Sequence, residues 1–319
     1  MVLLLIALAS LAVGTKGIPL GAVLDQLLRG DATTDDGIVV RTLRLPRTLI
    51  GLSVGAALGL AGALMQALTR NPLADPGILG VNAGASAAVV AGIVMLGVTS
   101  PSGYVWLALT GAGAASVVVY LLGSRGRSAA TPVRLALAGA AITAALTAFV
   151  YGLVLLHRSA FDSYRFWAVG ALAGRPMSVL IQTAPFLLVG AILALALARP
   201  LNALALGEDT SHALGAHPAR TRAVGVVAIT LLCGGAVAAA GPIGFVGLTV
   251  PHVARAITGP DQRWVLPYSM LLAPILLLGS DVLGRILARP GEIEVGIVTA
   301  FVGAPVFIWI ARRGRSAHL

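Results

Sequence analysis

Apolar stretches recur along the chain, cut by short segments rich in arginine, aspartate, glycine or proline. A membrane-crossing α-helix needs about 20 apolar residues to pass the ~30 Å hydrocarbon layer. Ten stretches are candidates: 2–14, 47–68, 78–97, 104–123, 133–155, 180–198, 222–241, 243–257, 265–287 and 295–311. The pattern predicts an all-α integral membrane protein, with about ten transmembrane helices in one compact bundle spanning 1–319. The longest polar breaks are an outer loop near 15–46 and an inner loop near 199–222. The first stretch has no basic lead and no convincing cleavage site, so it reads as part of a genuine span rather than a signal peptide. The eighth is short and flanked by Pro242 and Pro251. Broken helices at membrane depth occur where protein or a water-filled cavity shelters the backbone, so it lines a cavity or packs as a kink.

Composition agrees with the pattern. Of 319 residues, 58% are hydrophobic and only 11% charged, against roughly a quarter charged in an ordinary soluble domain. The net charge is +10, but the arginines are scattered at span ends rather than gathered on one face, which excludes a nucleic-acid partner. In a membrane chain they orient the spans and meet lipid headgroups. A slight arginine excess in alternate segments, clearest in 124–134 and in Arg312-Arg313-Gly314-Arg315, puts both termini in the cytoplasm. Glycine is abundant within spans, with Gly51, Gly55, Gly59 and Gly62 in the second and Gly234, Gly235 and Gly241 in the seventh. Such small faces let helices pack closely, or slide during gating.

Catalytic groups are sparse. The one lysine, Lys16, lies outside any phosphate-binding loop motif, so the chain has no ATPase site of that class. The five histidines are too dispersed to form a metal centre. Cys233 is single and cannot form a disulfide within the chain. Asp281 is the one acid inside an apolar span, and Arg285 at i+4 is placed to pair with it. What remains is a channel, a secondary transporter, or the membrane half of a machine driven by another protein.

Two loops bear on that choice. The segment RPLNALALGEDTSHALGAHPARTR (199–222) sets Leu201, Leu204, Leu206 and Leu214 around an acidic centre. Asp209 or Thr210 is a suitable N-cap for a short helix, bounded by Pro218. This is a docking surface for a soluble partner, or an amphipathic loop at the headgroups; the acidic tip argues against the headgroup reading. Before the second span, Arg44 and Arg47 are three apart, and Arg285 falls at an outer helix end. Three guanidiniums on one external surface suit a carboxylate-bearing protein or anchor to headgroups.

Four segments in register carry a family resemblance: 44–86 (RLPRTLIGLSVGAALGLAGALMQALTRNPLADPGILGVNAGAS), 201–220, 241–261 (GPIGFVGLTVPHVARAITGPD) and 294–313. Together they resemble the permease subunits of bacterial ABC importers for iron-siderophores, haem and cobalamin. The resemblance implies a multi-pass chain of the inner membrane, paired with a second copy or a paralogue around a central translocation path. It implies two cytoplasmic ATP-binding subunits and an extracytoplasmic substrate-binding protein, with ATP and Mg2+ on the ATPase and no cofactor on this chain. It assigns ATPase coupling to Leu204, Leu206, Gly207, Glu208, Asp209, Leu214 and Gly215. Binding-protein docking falls to Arg44, Arg47 and Arg285, and the cytoplasmic gate to Asn71 and Leu73. The expected activity is ATP-driven alternating access for a ferric siderophore. The alternatives are an ion-gradient transporter, which would want intramembrane acids, and a membrane enzyme.

Overall fold

The computed structural model describes residues 1–14, 17–29, 34–124, 132–213, 215 and 217–316. Its α-helices run in chain order as α1 (Val2–Ala12), α2 (Leu20–Arg29), α3 (Asp35–Ile38), α4 (Leu45–Thr69), α5 (Val81–Leu96), α6 (Pro101–Ser124), α7 (Pro132–Leu156) and α8 (Arg158–Ala168). There follow α9 (Met177–Ala196), α10 (Ala198–Ala205), α11 (Glu208–Ala213), α12 (Pro218–Ala240), α13 (Val246–Thr258), α14 (Gln262–Leu287) and α15 (Val295–Ser316).

The ten apolar stretches correspond to α1, α4, α5, α6, α7, α9, α12, α13, α14 and α15. Among the described residues, six helical stretches are long and apolar enough to cross a membrane: Asp35–Thr69, Pro101–Ser124, Val133–Leu156, Met177–Ala196, Pro218–Ala240 and Gln262–Leu287. Val2–Ala12, Val81–Leu96 and Val295–Ile308 are shorter apolar helices.

The described residues of the expected loop at 15–46 are largely helical. α3 passes through a π-helical turn, Val39–Arg44, straight into α4. Pro46 explains the wide turn. It has no N–H to give Thr42, and its ring crowds the carbonyl four residues back. The Leu45 N–H bonds instead to the Val40 carbonyl, one residue further away.

α4 forms the middle of the bundle and is its most buried span. Its glycines meet other helices at backbone distance. A methyl group on Gly55 would lie 2.6 Å from Cα of Pro274, and one on Gly59 would lie 2.3 Å from the Ser269 carbonyl oxygen. One on Gly62 would lie 1.9 Å from the Gly247 carbonyl. With no hydrophobic effect to press helices together in lipid, such close backbone contact supplies the dispersion energy that holds them. The order of these contacts makes α4 and α14 antiparallel: Gly51 meets Leu278, and Gly59 meets Ser269. Arg44 therefore shares one end of the bundle with Arg285, and Arg70 shares the other with Asp261.

The short eighth helix, α13, is sheltered by protein. Val246 to Pro251 are buried. Pro251 cannot donate to the Gly247 carbonyl, and α4 closes over this gap through Gly62. The buried Gln66 side chain donates to the Leu248 carbonyl at 3.1 Å and accepts a hydrogen bond from Arg255.

Candidate functional site

At the Arg44 end, side chains from three helices converge. Arg47 lies on the first turns of α4. Its Nε donates to both Asp281 oxygens at 3.1 and 3.0 Å, and its Nη2 to Oδ1 at 2.7 Å. Its Nη1 donates to Glu292 at 2.7 Å. Asp281 also accepts from Nη2 of Arg285 at 2.7 Å, the expected i, i+4 pair on α14. One buried carboxylate thus holds two guanidiniums.

The remaining guanidinium donors turn to the C-terminus of α1. Arg285 bonds the Ser10 and Val13 carbonyls at 2.9 and 2.7 Å, and the Ser10 hydroxyl at 3.0 Å. Arg44 bonds the Leu11 and Ala12 carbonyls at 2.8 and 2.7 Å. Arg289 reaches the Gly14 carbonyl at 2.9 Å. A helix leaves its last carbonyls without intrahelical donors, and its C-terminus favours cations. α1 is only 11 residues long, and this arginine cage ties its end to α4 and α14.

Arg44, Arg47 and Arg285 therefore do meet, but not as three exposed guanidiniums. Arg285 is 1% exposed and Arg44 6%. Both are fixed by carbonyls, while the Arg47 side chain, 11% exposed, and Glu292, 29%, lie at the rim. These three arginines and Glu292 line a cavity of about 300 Å3 together with Gly14, Val39, Leu43, Ala173 and Gly174. Five guanidiniums (Arg44, Arg47, Arg175, Arg285 and Arg289) and three carboxylates (Asp281, Glu292 and Glu294) leave this cluster cationic. Arg289 and Glu292 escaped the sequence reading, although Asp281, Arg285 and Arg289 repeat every four residues. Glu294, just before α15, is also here, and burial raises its carboxyl above the ordinary range.

At the opposite end, the described part of 199–222 is mostly helical, in α10, α11 and the start of α12. α10 turns Leu201 and Leu204 into the core; Leu204 is 0% exposed. The resemblance assigns Leu204 to the ATPase contact; with Leu201 it instead seats α10 on the bundle. Leu206 is 64% exposed. α11 begins at Glu208, with the Ser211 N–H bonded to the Gly207 carbonyl, so Gly207 rather than Asp209 or Thr210 precedes the helix. Gly207 (φ 111°) and Gly215 (φ 77°) bracket α11 in backbone conformations that a side chain disfavours. Asp209 is exposed. Leu214 lies outside the described residues.

Asn71 and Leu73 follow α4 at this same end. The Asn71 carboxamide accepts from the Leu73 N–H at 2.9 Å, an Asx-turn. Both residues are exposed. Asp75 then caps a short 3-10 turn, accepting from the Gly77 N–H at 2.7 Å, and burial raises its carboxyl above the usual value.

The FecCD transport family model matches residues 2–313. The chain belongs to the FecCD transport family. This FecCD chain is 49% identical over 315 residues to the ferric enterobactin transport system permease protein FepD of Escherichia coli, covering 98% of this chain and 93% of that one. It is 37% identical to the hemin transport system permease protein HmuU of Yersinia pestis, covering 98% and 95%. Among solved structures, one described as an inward-facing metal-chelate type ABC transporter superposes with a TM-score of 0.86 at 29% identity, covering 98% of this chain and 96% of that one.

Proposed function

We propose that this chain is the membrane permease of an ATP-driven importer for a ferric siderophore, with haem and cobalamin as related large cargoes. It works by alternating access as a pair with a second copy or a paralogue, around a path between them. Two ATP-binding subunits carry ATP and Mg2+ and grip the segment around α11. An extracytoplasmic substrate-binding protein delivers cargo at the arginine cage. The chain lies in the bacterial inner membrane with its termini in the cytoplasm, so the cage faces outward, and α11 with the Asn71–Leu73 turn faces inward.

The cationic cage carries this reading. A surplus of guanidinium at the mouth of a chain matched from end to end by metal-chelate permeases suits acidic residues on a docking partner. Arg47 is its contact group, and Arg44 and Arg285 hold the platform rigid. Inside, the exposed Leu206 and Asp209 support an apolar and acidic contact with the ATPase, and Glu208 is assigned to it by its place in the sequence. Ion coupling finds little support here, since Asp281, the intramembrane acid, is already neutralised by two arginines.

The test is reconstitution in liposomes. With its ATPase, binding protein and ATP, the permease should accumulate labelled ferric siderophore; alone, under an imposed proton or sodium gradient, it should not. Uptake by the chain alone would overturn the reading.

A further inference from the structure

α14 is bonded at both ends to the machinery just described. At its outer end, Asp281 holds Arg47 and Arg285. At its inner end, the contact comes from Asn202, in the middle of α10. The Asn202 Nδ2 donates to Oδ1 of Asp261 at 2.6 Å, and its Oδ1 accepts from the Gln262 N–H at 2.9 Å. Asp261 is the N-cap of α14, accepting from the Arg263 N–H at 2.9 Å and holding the Arg263 guanidinium at 2.8 Å. Two of the N–H groups that any helix leaves without partners are thus satisfied by side chains, one local and one supplied by the α10 segment. Just one orientation of the Asn202 amide makes both bonds, because its nitrogen must face the carboxylate and its oxygen the N–H. Hydrogen bonding to Arg263 and Asn202 holds the Asp261 carboxyl below its ordinary range, so it remains an acceptor at every physiological pH.

From this geometry we infer that Asn202 is a positioning residue: it transmits displacement of the α10–α11 segment to the N-terminus of α14, and through that helix to the arginine cage. The inference rests on the proposed coupling role of residues 199–222. Leu201 and Leu204 bury α10 against the bundle through non-directional packing, which tolerates small slips. The two amide bonds fix register and direction. α14 is 26 residues long, roughly 39 Å at 1.5 Å per residue. Pro267 and Pro274 each remove a hydrogen bond from its ladder. α4 braces the helix across the second of them, where a methyl group on Gly55 would lie 2.6 Å from Cα of Pro274, and again at Ser269 and Leu278. With α4 as the splint, a push on Gln262 reaches Asp281.

The experiment uses the complete importer in liposomes and reads substrate taken up per ATP hydrolysed. Asn202→Ala removes both bonds, and Asn202→Asp sets a second carboxylate against Asp261. Uptake per ATP should fall about fivefold to tenfold, the lower range of an allosteric coupling free energy, with Asn202→Asp the worse and ATP hydrolysis continuing. The exchange Asn202→Asp with Asp261→Asn removes the like charges and restores an amide–carboxylate bond between the same positions, at the cost of the Arg263 N–H cap, which the same Asp261 Oδ1 accepts. It should recover part of the loss and exceed the ratio of Asn202→Asp alone. A contact that only stabilises the fold would change the yield of assembled complex and leave the ratio alone. An unchanged ratio in assembled Asn202→Asp importer, or a double exchange no better than the single variant, overturns the inference. Glu208→Lys run in parallel separates the two levels. If it uncouples while the Asn202 variants do not, the joint alone is wrong. If Glu208→Lys and the Asn202 variants all transport normally, the coupling role of the segment falls as well.

Discussion

Arg47 and Asp281 are separated by 234 positions in sequence, yet the Nη2 of one lies 2.7 Å from the Oδ1 of the other. The pair is more than a bond between two helices. The same carboxylate holds Arg285, and Arg285 holds the end of α1. Removing Asp281 would leave two largely buried guanidiniums with part of their donors unmatched. Asp281→Ala should destabilise the permease by about 3–5 kcal/mol, the usual cost of stranding a buried charge. Thermal unfolding in detergent checks it, and α1 should become the first segment cut by limited proteolysis. A melting curve like that of the unaltered protein would refute this account of the cage.

Glu292 occupies the Arg47 donor nearest the surface. A partner carboxylate arriving at the cage has to compete with it. Glu292→Gln weakens the internal bond and adds a positive charge to the field. Docking of the binding protein should tighten about fivefold to tenfold at low salt, given ~1.5–3 kcal/mol for a charge-assisted hydrogen bond less the losses of exposure. Arg47→Glu should weaken docking instead. Surface plasmon resonance on the reconstituted permease gives both signs, and equal affinities would return Arg47 to a headgroup-anchoring role.

Gly59 faces the Ser269 carbonyl with no space for a methyl group. Gly59→Leu forces backbone apart along the α4–α14 contact and should cost more than the ~1–3 kcal/mol typical of overpacking a core. Gly113 has open space where its side chain would be. Gly113→Ala should leave stability unchanged or raise it by up to about 1 kcal/mol, since glycine is the poorer helix former. Unfolding curves of the two variants side by side make the comparison.

Asp75 combines a cap with a burial penalty. Asn accepts the same hydrogen bond from the Gly77 N–H without carrying charge. A carboxyl whose folded value is raised contributes stability at low pH and loses it as pH climbs through that value. Asp75→Asn should therefore raise the melting temperature at pH 7.5, by ~2–4 °C per kcal/mol recovered. The gain should shrink as the pH is lowered toward 4. A gain independent of pH would show that charge is not its cause.

Much of this architecture is legible in the sequence because hydrocarbon leaves the chain few options. Each apolar stretch must satisfy its backbone internally, so span positions follow from composition, and the glycine face of α4 announces close packing. The pairing of Asp281 with Arg285 is also legible, being local. Arg47 and Glu292 are not, because their partners lie far away in sequence and no periodicity connects them. Leu204 misleads for a different reason. A leucine in an amphipathic segment fits an outward knob and an inward anchor equally well until the neighbouring helices are placed. The helix within 35–44 hides behind its charges and Pro46, which read as loop and are accommodated by a π turn.

The seam between α4 and α14 has a cost in variation. Where main chains touch, neither strand of the seam can gain bulk alone; an enlargement on one side demands a matching excavation on the other. Engineers wishing to widen this conduit for unfamiliar cargo will find more freedom along its looser outer helices than along that spine.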